Sequence, residues 1–180
     1  MLALATLAGR LFVAGNFLTA AAVKVGHILA WDGFEISKLG LGVDGAVKTL
    51  AVFRGGLVAG GAFTRAFQPD GQVVSSGGLA FWSVESARWS LLGGASIQGD
   101  VTALLASGDT LYVAGRFSKI DLRDKPSTPA RGLASYNAIS GESSLFFITL
   151  GLELSDTKSL RALTTSPPRN CFSFLRSNCS

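Results

Sequence analysis

A seven-residue segment recurs three times along the chain, at a spacing of about 50 residues. The copies are Leu11-Phe12-Val13-Ala14-Gly15-Asn16-Phe17, Leu57-Val58-Ala59-Gly60-Gly61-Ala62-Phe63 and Leu111-Tyr112-Val113-Ala114-Gly115-Arg116-Phe117. A leucine precedes each copy at the same distance, and a leucine–alanine pair leading to an aromatic residue follows it. The leucines are Leu4, Leu50 and Leu104, and the aromatic residues are Trp31, Trp82 and Tyr136. Matched landmarks in one order indicate that a single supersecondary unit is stacked several times.

Each unit divides into four short runs of apolar, β-branched or aromatic residues. In the second unit, strands are predicted over 47–53, 56–63, 78–83 and 88–92. In the third unit, they are predicted over 101–106, 110–117, 132–137 and 144–150. Gly, Asp, Ser and Pro bound these runs, as is typical of strands. The sequence therefore predicts an all-β chain with negligible helix before residue 163, and its main alternative is a β-sandwich formed by the same strands.

Four-stranded units of this length, with periodic glycine and aromatic residues, are typical of β-propeller blades. The segments Leu11–Phe17, Ile28–Gly33 and Leu39–Gly45 resemble the repeats of Kelch-like, galactose-oxidase-type propellers, and the resemblance covers roughly residues 1–163. The diglycine of enzymatic kelch repeats is not clearly present after the second strand. The resemblance is therefore to the non-enzymatic cell-surface kind, such as fungal cortical polarity markers and bacterial surface-protein repeats. It implies a partial propeller of about three four-stranded antiparallel blades, at the cell surface or outside the cell.

The repeat also divides the chain into blades. A partial blade is expected over 1–46, full blades over 47–100 and 101–159, and the start of a further strand over 160–163. Propellers usually close with four to eight blades. About three blades therefore predict a fragment of a longer propeller, whose ring the remaining blades or another subunit would complete. No signal peptide is visible in the sequence.

Residues 164–180 depart from the repeat and are expected to form a tail, which two prolines introduce. Cys171 and Cys179 are the two cysteines of the chain, and both lie in this tail. A small disulfide loop between them and two free thiols are both open interpretations.

The repeat register also predicts which residues pack between blades. Trp31, Trp82 and Tyr136 are expected to occupy equivalent third-strand positions there. The leucines of the innermost strand, Leu50, Leu104 and Leu163, are expected to be equivalent as well. Glycine inside a strand indicates a close approach of neighbouring backbone, so Gly60 and Gly115 are expected to resist bulky substitution.

No catalytic or metal-binding pattern is found in the sequence. One histidine, His27, cannot make a His-rich metal site and is expected to be an ordinary surface residue. No Gly-x-Ser-x-Gly motif surrounds a serine. Several carboxylates lie beside glycine or in turns, where Asp accepts backbone hydrogen bonds: Asp32, Asp44, Asp70, Asp100 and Asp109. We therefore expect a non-enzymatic protein without cofactor or metal. The alternative is a fragment of a kelch-type oxidase or glycosidase whose catalytic residues lie outside this chain.

The charge of the chain and the length of its apolar runs argue against nucleic-acid binding and a membrane span. Sixteen Lys and Arg residues against twelve Asp and Glu residues give a formal net charge of +4. No basic stripe with interleaved aromatic residues is present, so nucleic-acid binding is not expected. No run reaches the roughly 18–20 apolar residues that a membrane helix needs, so no membrane span is expected.

The long connections between second and third strands are the expected binding region. They are Leu18–His27, Thr64–Gly77 and Ser118–Arg131. Loops on a rigid scaffold often carry function, and adjacent blades bring equivalent loops side by side. The sequence therefore predicts one polar patch for a protein or glycan ligand, formed by Arg65, Asp70, Lys119, Asp121, Arg123 and Asp124. The alternative is that these connections are merely solvated, variable surface loops.

Overall fold

Short apolar runs bounded by turn residues give strands throughout the computed structural model, which describes residues 3–122 and 125–138. These residues contain strands and no helix, which confirms the all-β prediction for this part of the chain. Accordingly, nothing in the described ranges has the length and apolarity of a membrane-spanning helix. Several predictions lie outside the described residues: the strand over 144–150, the further strand over 160–163, Leu163, the tail over 164–180 with Cys171 and Cys179, and the site residues Arg123 and Asp124.

The strands follow the three units in chain order. The first unit contains β1 (Ala3–Leu7), β2 (Arg10–Ala14), β3 (Thr19–Ala20), β4 (Val23–Lys24), β5 (Ile28–Trp31) and β6 (Ile36–Lys38), and β7 (Gly42–Val43) follows it. The second unit contains β8 (Val47–Phe53), β9 (Gly56–Gly61), β10 (Arg65–Phe67), β11 (Val73–Ser75), β12 (Leu79–Ser83) and β13 (Arg88–Ser90). The third unit contains β14 (Ala95–Ser107), β15 (Thr110–Leu122), β16 (Lys125–Pro129) and β17 (Leu133–Asn137).

Each unit builds one main antiparallel sheet from these strands, and β3-β4 and β11-β10-β7 form two smaller sheets. The first sheet has the order β1-β2-β5-β6, and the second sheet repeats it as β8-β9-β12-β13. In the third sheet β15 pairs with both β14 and β17. None of the sheets closes on itself. The first strands β1, β8 and β14 lie next to one another in sequence order, so consecutive sheets are stacked along the chain.

The strand boundaries agree with the sequence prediction in the second unit and depart from it in the third. Strand β8 covers the predicted 47–53. Strands β14 and β15 each extend over 13 residues, well beyond the predicted 101–106 and 110–117. The extension arises because residues 95–98 pair with residues 119–122 beyond a bulge at Gly99. A connection that was predicted as a loop is therefore partly strand.

The pairing register confirms that the repeat landmarks occupy equivalent positions. Trp31 lies opposite Leu11, Trp82 opposite Leu57 and Tyr136 opposite Leu111. The leucines of the first strands match too, since Leu4, Leu50 and Leu104 lie opposite the third residue of each heptapeptide. The residues of one unit can therefore be compared position by position with those of the next.

Two apolar clusters hold the three sheets together. One lies between the first and second sheets and contains Phe12, Leu57, Trp82 and Trp89. The other lies between the second and third sheets and contains Phe53, Val58, Leu111 and Tyr136. Two edge-to-face ring pairs lie in these clusters: Trp82 with Trp89 at 5.1 Å and Phe53 with Tyr136 at 5.9 Å between ring centroids. The prediction that Trp82 and Tyr136 pack between adjacent sheets is confirmed.

The same prediction is wrong for Trp31, which is 43% exposed. In the second and third sheets, the equivalent aromatic side chain packs on the preceding sheet. Among the described residues, no sheet precedes the first one. Trp31 therefore lacks the apolar surface that buries Trp82 and Tyr136, although its position in the strand is the same.

The sequence singled out Gly60 and Gly115 as crowded glycines, and the structure shows that Gly61 is the residue equivalent to Gly115. Gly61 and Gly115 are equivalent, because they lie opposite Val47 and Val101. A Cβ at either position would overlap the backbone of the first strand, at Ala46 and at Asp100 respectively. Gly60 is crowded differently, by the side chains of Val101 at 2.6 Å and Thr49 at 2.8 Å. All three positions leave no room for a side chain, as the close-approach argument predicts.

Candidate functional site

The long connections between second and third strands fold into β-hairpins. In the first unit, β3 pairs with β4. In the second unit, β10 pairs with β11 and also with β7, the segment that joins the first unit to the second. In the third unit, the end of β15 pairs with β16 and with the beginning of β14. The prediction that these connections are loops is therefore wrong, because they contain paired strands. We call the three hairpins, together with β7 and residues 95–98, the rim layer.

Hydrogen bonds join the rim layer across consecutive units. The Val43 N–H of β7 donates to the Gly26 carbonyl oxygen of the first unit at 3.0 Å. At the next junction, Gly78 N–H donates to the Ile97 oxygen at 2.9 Å, and Ile97 N–H donates to the Ser76 oxygen at 3.3 Å. The rim layer is thus a hydrogen-bonded surface that passes from unit to unit, so its backbone is already ordered before any partner binds.

The two faces of the rim layer differ in polarity because strand side chains alternate. The inner face carries Val43 and Ala66 in the second unit and Ile97 and Ile120 in the third, all buried. The opposite face is exposed or half-buried, and we call it the outer rim face. Its members are Asp44, Arg65, Phe67, Val73 and Ser75 beside the second sheet, and Ser96, Gln98, Lys119, Asp121 and Ser127 beside the third.

Asp44 organises the part of the outer rim face that belongs to the second unit. Its Oδ1 accepts hydrogen bonds from the backbone N–H groups of Thr64 at 2.7 Å and Arg65 at 2.9 Å. Its Oδ2 accepts from the Thr64 hydroxyl at 2.8 Å and from Arg65 Nε at 3.0 Å. The Arg65 guanidinium also lies 5.8 Å from the centroid of the Phe67 ring, a cation–π distance. Asp44 therefore fixes the start of the hairpin and the position of the Arg65 side chain.

These contacts lower the pKa of the Asp44 carboxyl group. Burial of the carboxylate raises its pKa, but the backbone N–H groups of Arg65 and Thr64 act in the opposite direction. The Thr64 hydroxyl and the Arg65 side chain add to them, and the resulting pKa is about 2. Because hydrogen bonds to the ionised form outweigh desolvation, the folded protein holds Asp44 charged far into the acidic range.

We expect replacement of Asp44 by asparagine to remove a pH-dependent part of the stability. The unfolded state binds the proton more readily than the folded state, so the contribution is complete above a pH of about 4 and is lost as the pH falls through about 2. Solvent screening at Arg65, whose side chain is 56% exposed, limits the contribution to about 1–2 kcal/mol.

Urea unfolding at about pH 6 and about pH 2 measures this contribution. The free energy of unfolding of wild type should exceed that of Asp44→Asn at the higher pH. Most of this difference should disappear at the lower pH. Asp109→Asn is the matched control, because Asp109 lies in a turn and pairs with the exposed Arg54 at 3.1 Å. A difference between wild type and Asp44→Asn that stays constant with pH would contradict the assignment.

Asp121 has the same organising role in the third unit. Its Oδ1 accepts a hydrogen bond from the Ser127 hydroxyl at 2.6 Å and lies 2.9 Å from Lys119 Nζ. Its Oδ2 accepts from Gln98 Nε2 at 2.5 Å. The Ser127 hydroxyl, followed by Lys119, lowers the pKa of this carboxyl below its ordinary value. The carboxylate thus joins all three strands of this part of the rim layer: β14, β15 and β16.

The structure pairs two of the sequence-predicted site residues with each other and pairs two more with residues outside the predicted set. Lys119 and Asp121 form an ion pair with each other. Arg65 pairs with Asp44, whereas Asp70 at the hairpin tip pairs with Arg88 of β13 at 2.9 Å. Each of these four charges thus has a partner within its own unit or strand, and among the described residues no ion pair joins the two units through them.

Among the residues of this surface that the sequence prediction missed, three take part in its side-chain hydrogen bonds: Asp44, Gln98 and Ser127. The repeat itself held a signal for two of them. Asp44 and Gln98 stand at equivalent positions, three residues before Val47 and Val101, the valines that lie opposite the crowded glycines. Comparing the segments that join the units, and not only the long connections, would have identified these two positions.

His27 is not the surface residue that the sequence predicted, since it is 8% exposed. Its backbone N–H donates to the Phe17 oxygen at 2.7 Å, and its carbonyl oxygen accepts from Gly15 N–H at 3.0 Å. The same backbone position in the other units is held by Gly78 and Gly132. Its burial is therefore a consequence of the tight junction between hairpin and third strand. Its Nδ1 has no hydrogen-bond partner among the described residues.

The remaining aspartates of the described residues have structural partners. Asp32 accepts backbone hydrogen bonds from Phe34 and Glu35, and Asp70 accepts one from Gln72, which confirms the turn role for these two. Asp100 instead pairs with Lys48 of the neighbouring sheet. Within the described ranges, no three His, Cys, Asp or Glu side chains are grouped as metal ligands.

A cavity of about 260 Å³ lies between the second and third sheets and is lined mainly by apolar residues, among them Phe53, Phe81, Leu92 and Tyr136. The described residues that line it offer no arrangement of acid, base and nucleophile.

Comparison with known proteins leaves the kelch-like resemblance as a prediction. No family model matches the chain, and no curated protein is significantly similar to it.

Proposed function

We propose that the chain is part of a β-propeller and acts as a non-catalytic interaction module of a secreted or cell-surface protein, binding a protein or glycan partner through the outer rim face. The observation that carries the proposal is the rim layer. Its backbone is hydrogen-bonded across the units, and its inner face keeps small or branched apolar residues while its outer face changes from unit to unit.

The propeller arrangement is supported by the order of the sheets. Consecutive sheets pack through two apolar clusters, and their first strands β1, β8 and β14 are neighbours. Sheets that meet at their first strands and are joined in chain order have the relation of neighbouring propeller blades.

The chemistry of the outer rim face suits a ligand rich in hydrogen-bond donors. Asp44 and Asp121 are each held by several donors from their own chain, so their carboxylates are oriented before binding. Asp44 already accepts hydrogen bonds from its own chain at about all four lone-pair sites of a carboxylate, whereas Asp121 has three such donors and can accept a further hydrogen bond from a sugar hydroxyl or a peptide N–H group. Phe67 beside Arg65 adds a flat apolar contact. Preorganised side chains lower the entropy cost of association, and charges at an interface mainly set its rate and specificity.

The test compares two ion pairs at opposite ends of the sheets. One double variant, Lys119→Ala with Asp121→Ala, removes the pair on the outer rim face. The matched control, Arg54→Ala with Asp109→Ala, removes an exposed pair between the short turns of the second and third units. Binding of the full chain to a panel of glycans and to a panel of displayed peptides identifies a ligand, and both variants are then titrated with it.

We expect the rim variant to weaken binding about tenfold or more and to slow association, whereas the control stays within about twofold. Equal loss from both variants, or loss from the short-turn variant alone, would contradict binding at the outer rim face. Turnover of the bound ligand by the wild-type chain would contradict the non-catalytic assignment and favour a propeller enzyme.

A further inference from the structure

The first sheet exposes a face that the other two sheets bury. In the second sheet, Leu50, Leu57, Ala59, Ala80 and Trp82 belong to the cluster shared with the first sheet. In the third sheet, Leu104, Leu111, Val113, Ala134 and Tyr136 belong to the cluster shared with the second. The registers place Leu4, Leu11, Val13, Leu29 and Trp31 at the same positions of the first sheet. We call these five residues the entry face.

The entry face is apolar and yet incompletely covered. Leu4 is 62% exposed and Trp31 is 43% exposed, Leu11 and Val13 are half-buried, and Leu29 is buried. None of the five residues belongs to either apolar cluster of the described chain. Contiguous exposed apolar side chains on a sheet are typical of an interaction site.

The third sheet exposes the complementary face. In the first two sheets, the face toward the following sheet is buried and carries Phe12 and Val58 at one equivalent position. In the third sheet this position is Tyr112, which is 39% exposed. Its pairing neighbours Leu105 and Ser135 are half-buried and lie outside the clusters. We call these three residues the exit face.

The two internal interfaces show what covers such surfaces. In both of them, an entry-type face packs on an exit-type face of the same repeat. One chain thus leaves one face of each type without a partner among its described residues, and a second copy supplies both missing partners. We propose that two copies of this chain associate head to tail, with the entry face of each on the exit face of the other.

The number of sheets favours a closed ring of two copies. Contacts between unlike faces form a ring when the rotation closes and a filament when it does not. The described residues of two copies contribute six four-stranded sheets, which falls within the range of about four to eight at which radial stacks of sheets close. The inference rests on the propeller arrangement proposed above, but it involves neither the outer rim face nor its ligand.

Sedimentation velocity of the full chain over a range of concentrations tests the inference, in reducing buffer so that no disulfide links two chains. We expect a dimer of twice 18.7 kDa. Trp31→Lys on the entry face and Tyr112→Lys on the exit face should each raise the dissociation constant about 100-fold or more, because each inserts an unpaired charge into an apolar contact.

Phe34→Lys is the matched control, because Phe34 is a 94% exposed aromatic residue in the turn next to Trp31 and belongs to neither face. It should leave the dissociation constant within about threefold of wild type. Circular dichroism of Trp31→Lys and Tyr112→Lys checks that both variants remain folded. We expect both to fold, because Trp31 and Tyr112 are substantially exposed.

Each other outcome overturns the head-to-tail ring. A monomeric wild type shows that the entry and exit faces do not pair. A dimer sensitive to Trp31→Lys and insensitive to Tyr112→Lys shows that two entry faces pair with each other. Polymers that grow with concentration show an open stack. Any of these results leaves the ligand test at the outer rim face standing, so the two proposals fail separately.

Discussion

Replacing Trp82 with alanine is expected to lower the free energy of unfolding by about 3–5 kcal/mol. The indole lies between the first and second sheets, packed edge to face on Trp89 at 5.1 Å between ring centroids. Its removal leaves a cavity among Phe12, Leu57 and Trp89, which the paired strands around it cannot close. Chemical denaturation monitored by far-UV circular dichroism measures the loss.

The exposed Phe34→Ala variant is the control for this experiment. Phe34 lies in the turn between β5 and β6 and belongs to neither apolar cluster, so its truncation should change the stability by about 0.5 kcal/mol or less. If Trp82→Ala were as stable as Phe34→Ala, the packing of the first sheet on the second would be wrong.

Replacing Gly115 with alanine is expected to cost about 3 kcal/mol, although it adds one methyl group. The new Cβ would overlap the Asp100 carbonyl oxygen and lie 2.9 Å from Val101 Cα. Both atoms belong to the backbone of β14, which pairs with β15 along its length. The overlap therefore cannot be relieved by a change of rotamer, and the two strands must separate.

Gly108→Ala separates this crowding from the conformational strain of glycine positions. Gly108 has a φ of +55° and nothing within 4 Å of an added Cβ. Alanine at this position should therefore cost about 1 kcal/mol for the left-handed backbone conformation and cause no overlap. Thermal and urea unfolding of the two variants give the comparison. Equal destabilisation would show that β14 and β15 are not in close contact at Gly115.

The sequence was sufficient to locate the strands of the three sheets and their equivalences. Strand β8 coincides with its predicted range, and Trp82 and Tyr136 share the predicted register and burial. These features depend on alternation within a strand and on the repeat of one unit, and both are written locally in the chain. Crowding at Gly115 was predictable for the same reason, since a glycine within a strand pattern indicates a close backbone approach.

The sequence identified the segments that form the outer rim face but not the short paired strands that these segments adopt. The long connections were recognised as the variable part of each unit, and Arg65, Lys119 and Asp121 do lie on the outer rim face. Strands of two or three residues such as β3, β7 and β10 carry too few alternating positions to be recognised. They form because a neighbouring segment supplies hydrogen-bond partners, and that segment belongs in part to another unit.

The sequence by itself thus determined the repeat, the alternation of buried and exposed side chains, and the strands of each sheet. The tertiary structure alone decided the surroundings of each repeated position. Trp31 and Trp82 have the same place in their strands, yet one is exposed and the other buried, because only Trp82 has a preceding sheet on which to pack. His27 is buried where the sequence predicted an exposed side chain, because the junction that holds its backbone hydrogen bonds encloses it. Burial depends on residues that are distant in the chain, so a local pattern predicts which face a side chain takes but not what covers that face.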